Sequence, residues 1–394
     1  MKKIFAAMSI ALLATSAFAQ SGTNSPYSQY GFGVLSDQGN SFNRGMNGVG
    51  LALRPHNQVN YLNPASYSSI DSLSFIFDAG MSLQMTNFKE GNVSKNANNA
   101  NFEYAVAGLR VASKFGVGFG VIPVSNIGYN FANIDESGLS RNDYQGKGGI
   151  REVFLGLGWS PVKGLSVGVN GGYLWGELDR SVNTVFYGGS VSALKKARYA
   201  SVANYKLDFG VQYDCQLNSK DALTVGATYG LGHSLNTDAT LSFINANDTT
   251  SIVAKDALEL PTQISAGVAY SHGKKWIVAV DYSLQQWSKV KFPVVGSSSD
   301  GQTLYTSKTG MFDDRHKING GFEYCQNAEG RKFMSRIRYR FGASYTTPYL
   351  KINGVDGPSE ISVSGGVGIP IMNNINNSMC FFYKYTMKIT DIYR

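Results

Sequence analysis

Between Ser72 and Phe88 the chain alternates with period two. Leu73, Phe75, Phe77, Ala79, Met81, Leu83 and Met85 are apolar, and the residues between them, Ile76 apart, are small or polar. Successive side chains of a strand point to opposite faces. One face here is oily and the other wet, over a length well beyond the roughly 5–6 residues usual for a strand. The pattern returns along the chain. Phe115, Val117, Phe119 and Val121 alternate with Gly116, Gly118 and Gly120. Tyr205, Leu207, Phe209, Val211 and Tyr213 share one face, with Asn204, Lys206, Asp208, Gln212 and Asp214 on the other. Leu223 to Leu231 and Ile337 to Tyr345 alternate likewise, and no stretch shows a 3.6 period.

The connections also fall into two kinds. Ser160–Gly164, Asn218–Ala222 and Ser271–Lys275 read as short turns. Lys89–Asn101, Asn133–Gly149, His233–Lys255 and Ser288–Arg315 read as long polar loops. Short turns at one end and long loops at the other are the pattern of an outer-membrane barrel. Lipid cannot satisfy backbone polar groups, so a spanning sheet closes on itself, with strands of roughly 9–11 residues in the lipid. A soluble β-sandwich would have shorter strands and no such asymmetry. The expected fold is all-β, an antiparallel transmembrane β-barrel. About 13 strands are counted from Asp71 onward, whereas single-chain bacterial barrels have even numbers; about 14 are expected, and closure stays open.

Composition refines this picture. The 394 residues include 45 Gly, 23 Tyr and 22 Phe, with only 16% charged residues, which suits a wall whose wet face is built from small side chains. The formal charge of +8 points to anionic lipid headgroups or an anionic ligand. Nucleic acid is excluded, because no basic cluster is interleaved with stacking aromatics. Lys2 and Lys3, the apolar run Ile4–Thr15 and the small-x-small step Ala17-Phe18-Ala19 predict a signal peptide over residues 1–19, with a mature start at Gln20. No later run approaches the ~20 apolar residues of a membrane helix. Cys215, Cys325 and Cys380 are too far apart for a metal site and read as strand residues.

Residues 20–70 do not alternate. They are rich in Gly, Asn and Ser, with Tyr27, Tyr30, Phe32, Phe42 and Tyr61 scattered among them and a turn at Asn63-Pro64. A barrel of this size has a lumen that its own side chains cannot fill. Residues 20–70 are therefore expected to form a hatch plugging it, with residues 71–394 as the barrel.

Two regions carry a family resemblance. "GNSFNRGMNGVGLALRPHNQVNYLNPASYSSIDSLSF", through Arg44-Gly45-Met46 and Asn63-Pro64-Ala65, resembles the hatch and first strand of the long-chain fatty-acid transporter family (FadL type, which includes aromatic-hydrocarbon transporters). "LELPTQISAGVAYSHGKKWIVAVDYSLQQWS" is similar to a hairpin of that family through Leu260-Pro261, Gly267, Tyr270, Trp276, Asp281-Tyr282 and Trp287-Ser288. The likeness runs from about Gly39 to Pro370 and departs at the C-terminal end, where family members continue to a fourteenth strand. It implies a hatch containing Arg44, Gly45, Asn63, Pro64 and Ala65. It further implies capture of hydrophobic substrates on the outer side and a lateral opening in the wall.

Arg336, Arg338 and Arg340 lie on one face of a strand pattern. With Lys206 they are lumenal candidates for binding a carboxylate headgroup. The plainer alternative is a ladder paired with acids such as Asp208, Asp214 or Asp281, or with the hatch. The glycine run Gly116–Val121 lacks phosphate-loop spacing and a following helix. The only histidines, His56, His233, His272 and His316, sit in no nucleophile or metal motif. The sequence therefore predicts a non-enzyme with no cofactor and no metal site. It predicts passive uptake of hydrophobic compounds such as long-chain fatty acids across the outer membrane of a Gram-negative bacterium. Its partners would be outer-membrane lipids, lipopolysaccharide and a hydrophobic small-molecule ligand. The alternative is a barrel that serves as scaffold or cargo-binding partner among other envelope proteins in a secretion or assembly complex. An aqueous porin fits less well, since a hatch obstructs free diffusion.

Overall fold

The alternating segments form one large antiparallel sheet. A computed structural model describes residues 23–90, 92–135, 137–187, 193–352, 354–370 and 378–389; the signal peptide and Gln20 lie outside these. The wall strands are β1 (Phe75–Glu90), β2 (Val93–Ala112), β3 in two segments (Phe115–Pro123 and Ser125–Ile134), β4 (Ser140–Val162), β5 (Leu165–Phe186) and β6 (Leu194–Gln216). They continue with β7 (Asp221–Gly230), β8 (Gln263–His272), β9 (Trp276–Gln285), β10 (Arg315–Cys325), β11 (Arg338–Thr346), β12 (Ser359–Pro370) and β13 (Ser378–Ile389). Each pairs with the next. Among the described residues β13 has no ladder to β1, so the sheet has thirteen wall strands and two edges running the same way.

Large apolar side chains, among them Leu155, Phe209, Val225, Val280, Phe341 and Val363, are exposed on the outer face all round the wall. Water would penalise such a belt; the acyl region of a bilayer accommodates it.

Two expectations need correction. Lys89–Asn101 is not a loop, because β1 and β2 stay paired from Phe75↔Leu109 to Glu90↔Val93. Asn133–Gly149 likewise lies mostly in β3 and β4, paired up to Ile134↔Arg141. Beyond the lipid neither face need be apolar, so the alternation vanishes while the backbone ladder continues. β4, β5 and β6 reach 23, 22 and 23 residues, about twice the length needed to cross. His233–Lys255 holds the hairpin Ala239–Ile244/Thr249–Ala254, which extends the sheet from β6. Ser288–Arg315 holds the hairpin Phe292–Ser297/Thr303–Lys308.

Residues 23–70 carry little regular structure: a helix α1 (Ser41–Gly45) and two short 3-10 turns, Pro26–Gln29 and Pro64–Ser69. Asn40 and Asn43 cap α1 reciprocally, side chain to backbone. The segment touches the wall round most of its circumference, the Pro64–Ser69 turn against β3 to β6 and α1 against β11 to β13.

Candidate functional site: the wall gap and the cavity behind it

The inner segment is seated on glycines. A Cβ at Gly158 would lie 2.6 Å from the Pro64 carbonyl oxygen, and one at Gly168 2.5 Å from the Ala65 nitrogen. Across the barrel, a Cβ at Gly321 would lie 2.7 Å from Met46 Cβ, and one at Gly342 2.6 Å from the Met46 oxygen. Gly210 and Gly226 approach Asn63 and Leu51 in the same way. The inner face of the wall thus lacks side chains where the segment's backbone passes. Contact at that distance leaves no room for even a methyl group.

Directed hydrogen bonds add to the fit. Asp281 Oδ2 on β9 accepts from the backbone N–H groups of Gly50 at 2.7 Å and Leu51 at 3.0 Å. Asn63 Nδ2 donates to the Leu51 carbonyl at 2.8 Å, and its Oδ1 accepts from the Ala65 N–H at 3.1 Å, starting the 3-10 turn. Arg44, buried, pairs with Glu103 on β2 at 2.7 Å and donates to the Gly39 and Asp37 carbonyls. Burial alone would raise the Asp37 carboxyl, but Lys384, Lys317 and Arg44 hold it well below the usual carboxylate range. Replacing Asp281 by Ala strands two buried donors and is expected to cost about 3 kcal/mol. The melting midpoint of the detergent-purified protein should fall by several degrees, with Asp281→Asn losing less; an unchanged midpoint would refute the anchor.

The wall is interrupted within β3. Its first segment pairs with β2 over Ala105–Ala112. The second pairs with β4 over Ile127–Ile134, while among the described residues the backbone ladder of β2 above Ala105 runs to β1 alone. Pro123 stands at the break and cannot donate to a ladder. Gly149, at φ 129°, lets β4 pass the break with its would-be Cβ pointing at Ser125 and Asn126. A gap therefore opens between the upper half of β2 and the second segment of β3.

Chain from the inner segment fills it. Val34 and Leu35 pair with Asn126 and Ser125 in a two-residue ladder. The Ser36 N–H donates to the Val124 carbonyl at 2.9 Å, and Gln38 Nε2 to the Pro123 carbonyl at 3.0 Å. Ser28 Oγ bridges the Gly128 N–H at 3.2 Å and carbonyl at 3.3 Å. The strip's backbone ladder to the wall is two residues long, and side chains supply the rest of its hold, among them Tyr349 Oη to the Gly33 carbonyl at 2.6 Å and Asn126 Nδ2 to Ser36 Oγ at 3.0 Å.

Behind the strip lies a cavity of about 210 Å³. Leu35, Ile122, Val124 and Ile150 form its gap side, and Phe32 and Trp287 lie over it with ring centroids 5.3 Å apart. Its other walls are charged: Glu152, Lys206 and Asp208 on one side, Asp281, Arg315 and Lys317 on the other. Lys206 Nζ bonds Asp208 at 2.6 Å and Glu152 at 3.1 Å.

Of the hatch and ligand-binding candidates named from sequence, Lys206 alone lines the cavity. Arg44 and Gly45 sit against β11 to β13, and Asn63, Pro64 and Ala65 against the far wall. Arg338 and Arg340 do form a ladder, but with Glu323 of β10, at 2.5 and 2.7 Å, rather than with Asp208, Asp214 or Asp281. Arg340 also lies 4.8 Å over the Phe42 ring of α1. Arg336 is not on the strand face: it ends the 3-10 turn Phe333–Arg336, because β11 begins only at Arg338. None of the three cysteines is in a disulfide; Cys325 is buried, and Cys380 Sγ accepts from Arg340 Nη1 at 3.4 Å. Sequence reasoning missed the break in β3, although Pro123 within an alternating run was its signal.

Comparison with known proteins places this geometry. The sequence model of the BamG family matches residues 1–388. No curated protein matches. Among solved structures, a Pseudomonas aeruginosa FadL homologue aligns with TM-score 0.61 at 12% identity, covering 90% of each chain. The CymD monoaromatic hydrocarbon channel aligns with TM-score 0.57 at 15% identity, over 91% of this chain and 94% of that one. The Ralstonia pickettii toluene transporter TbuX aligns with TM-score 0.54 at 16% identity, over 86% and 91%. At such identities the likeness is one of fold, and the fold is that of the FadL-type barrels.

Proposed function

We propose that this chain, which belongs to the BamG family, is an outer-membrane channel that passes small hydrophobic compounds between the bilayer and its lumen through the gap in β3. The observation that carries this reading is a break in the wall opening on a cavity, filled by a strip with a two-residue ladder instead of a strand. The fold shared with a monoaromatic hydrocarbon channel and a toluene transporter supports it. The cavity, at about 210 Å³, is smaller than the ~300–1,000 Å³ that encloses a drug-sized ligand. Single aromatic rings fit it better than a long fatty acid. Its apolar gap side and charged far walls suit a compound with one polar end. Expression in a Gram-negative host lacking its own hydrophobic-compound channels should raise uptake of radiolabelled toluene severalfold, with a smaller rise for a long-chain fatty acid. No rise with either compound would overturn the channel.

A second reading has an observation of its own. β1 and β13 are edges that run in the same direction, so one strand running the other way could pair antiparallel with both. Their outer faces carry Met81, Leu83, Met85 and Tyr383, the most exposed of the wall's large apolar residues. Unpaired edges invite added strands. A barrel that docks another envelope protein at this seam would act as a scaffold in an assembly complex. Stoichiometric co-purification with such a partner, abolished by proline substitutions in β13, would favour this reading over transport.

A further inference from the structure

At the loop end, β5 and β6 set Arg180 directly opposite Arg198. Like charges in direct cross-strand register repel and destabilise a sheet. Lys196 stands two residues along on the same face, with its Nζ 5.5 Å over the Phe243 ring. No described carboxylate pairs with any of the three, and none of the three is in an ion pair among the described residues. The registers explain why. Following this face outward from Arg180 gives Gly146 and Tyr129 on one side and Leu241 and Ile252 on the other. The acids of these strands, Asp143 and Asp179, point to the outer face and pair there with Arg141 and Lys147.

Arg180 spends one donor on the Gly31 carbonyl at 2.6 Å, while its Nε is buried with no partner. Tyr129 and Tyr305 lie close enough to interact with both arginines. Three cations, two of them forks suited to oxyanions, therefore converge on one concave face with unused donors and no counter-charge.

We propose that Arg180, Arg198 and Lys196 form a phosphate-binding site on the inner face of the wall's loop end. A phosphate monoester, carrying about −1.5 to −2 at neutral pH, balances three cations better than a single carboxylate. It would relieve the Arg180–Arg198 repulsion by bridging the two guanidinium groups. The source of the phosphate is either free in the medium or the headgroup of an outer-leaflet lipid. The site does not depend on the transport reading, since it needs no movement of the inner segment.

The full chain in a non-ionic detergent, in low-salt chloride buffer, is titrated with inorganic phosphate and separately with dodecyl phosphate. Binding is read by isothermal calorimetry and melting midpoint, with sodium chloride at matched ionic strength as control. Wild type should bind at least one of the two saturably, with a rise in midpoint that chloride does not reproduce. Binding of both marks a free phosphate as sufficient; binding of dodecyl phosphate alone marks a lipid headgroup. Arg198→Gln should weaken binding at least tenfold while raising the phosphate-free midpoint, because it removes a like charge. Arg180→Gln should weaken binding similarly, and Arg198→Lys should retain part of it. No saturable binding by wild type, or equal binding by Arg198→Gln, overturns the site.

Discussion

Leucine in place of Gly168 or Gly342 is expected to drive the inner segment from its seat. At Gly168 even a Cβ would come within 2.6 Å of the Pro64 oxygen, and at Gly342 within 2.8 Å of the Asn47 nitrogen. These are backbone atoms, which cannot rotate aside as a side chain can. Overpacking of a buried contact costs typically 1–3 kcal/mol, and a whole isobutyl group against main chain belongs at or above the top of that range. Each substitution should therefore lower the melting midpoint by several degrees. It should also open the lumen to ions, visible as conductance steps in planar bilayers that wild type lacks. Limited trypsinolysis should then cut after Arg44, which in the native arrangement is buried and pairs with Glu103 at 2.7 Å. Gly320→Leu is the control, for a Cβ there meets nothing within 4 Å, and it should leave all three readouts unchanged. If Gly168→Leu and Gly342→Leu behave like Gly320→Leu, the glycines do not seat the segment.

The same glycines show where sequence reading stops. Alternation marks the wall strands wherever one face meets lipid, because the oily face must then be continuous. Leu73–Met85 and Tyr205–Tyr213 are legible for that reason. A glycine on the wet face, by contrast, looks the same whether it meets water or a backbone. Gly116 and Gly118 were readable as small, but not as seats for Tyr67. Lys89–Asn101 and Asn133–Gly149, at the ends of β1 to β4, read as loops, since polar and small residues on both faces carry no alternation even though the ladder is intact.

The candidate site was less legible still. Arg338 and Arg340 announced a ladder, yet naming Glu323 as their partner requires the β10–β11 register, Glu323↔Arg340, which a pattern of side chains does not contain. The gap in β3 combines Pro123, Gly149 on β4 and a strip from residues 28–38. Only the proline is a local signal; the remainder is long-range packing. The opposed arginines on β5 and β6 were equally hidden, since residues 18 apart in sequence become neighbours only once the hairpin register is fixed.

Cross-linking the strip to the wall is expected to stop transport. Val34 and Asn126 are directly paired across an antiparallel ladder, where Cα atoms lie roughly 4.5–5.5 Å apart. That falls inside the roughly 4.4–6.8 Å range of disulfides. Val34→Cys with Asn126→Cys, in a background where Cys215, Cys325 and Cys380 are replaced by serine, should close a bond that pins the strip in the gap. The oxidised protein should show uptake of radiolabelled toluene at the level of the empty host, and reduction with dithiothreitol should restore it. A second tether across β8 and β9, Tyr270→Cys with Val278→Cys, joins strands already fully paired and should leave uptake intact. The strip is the only feature that distinguishes the two tethers, so loss of uptake with the first alone locates the passage at the gap. Full uptake by the oxidised Val34–Asn126 form would mean that compounds take another way through the wall. The break in β3 would then be an architectural consequence of Pro123 and nothing more.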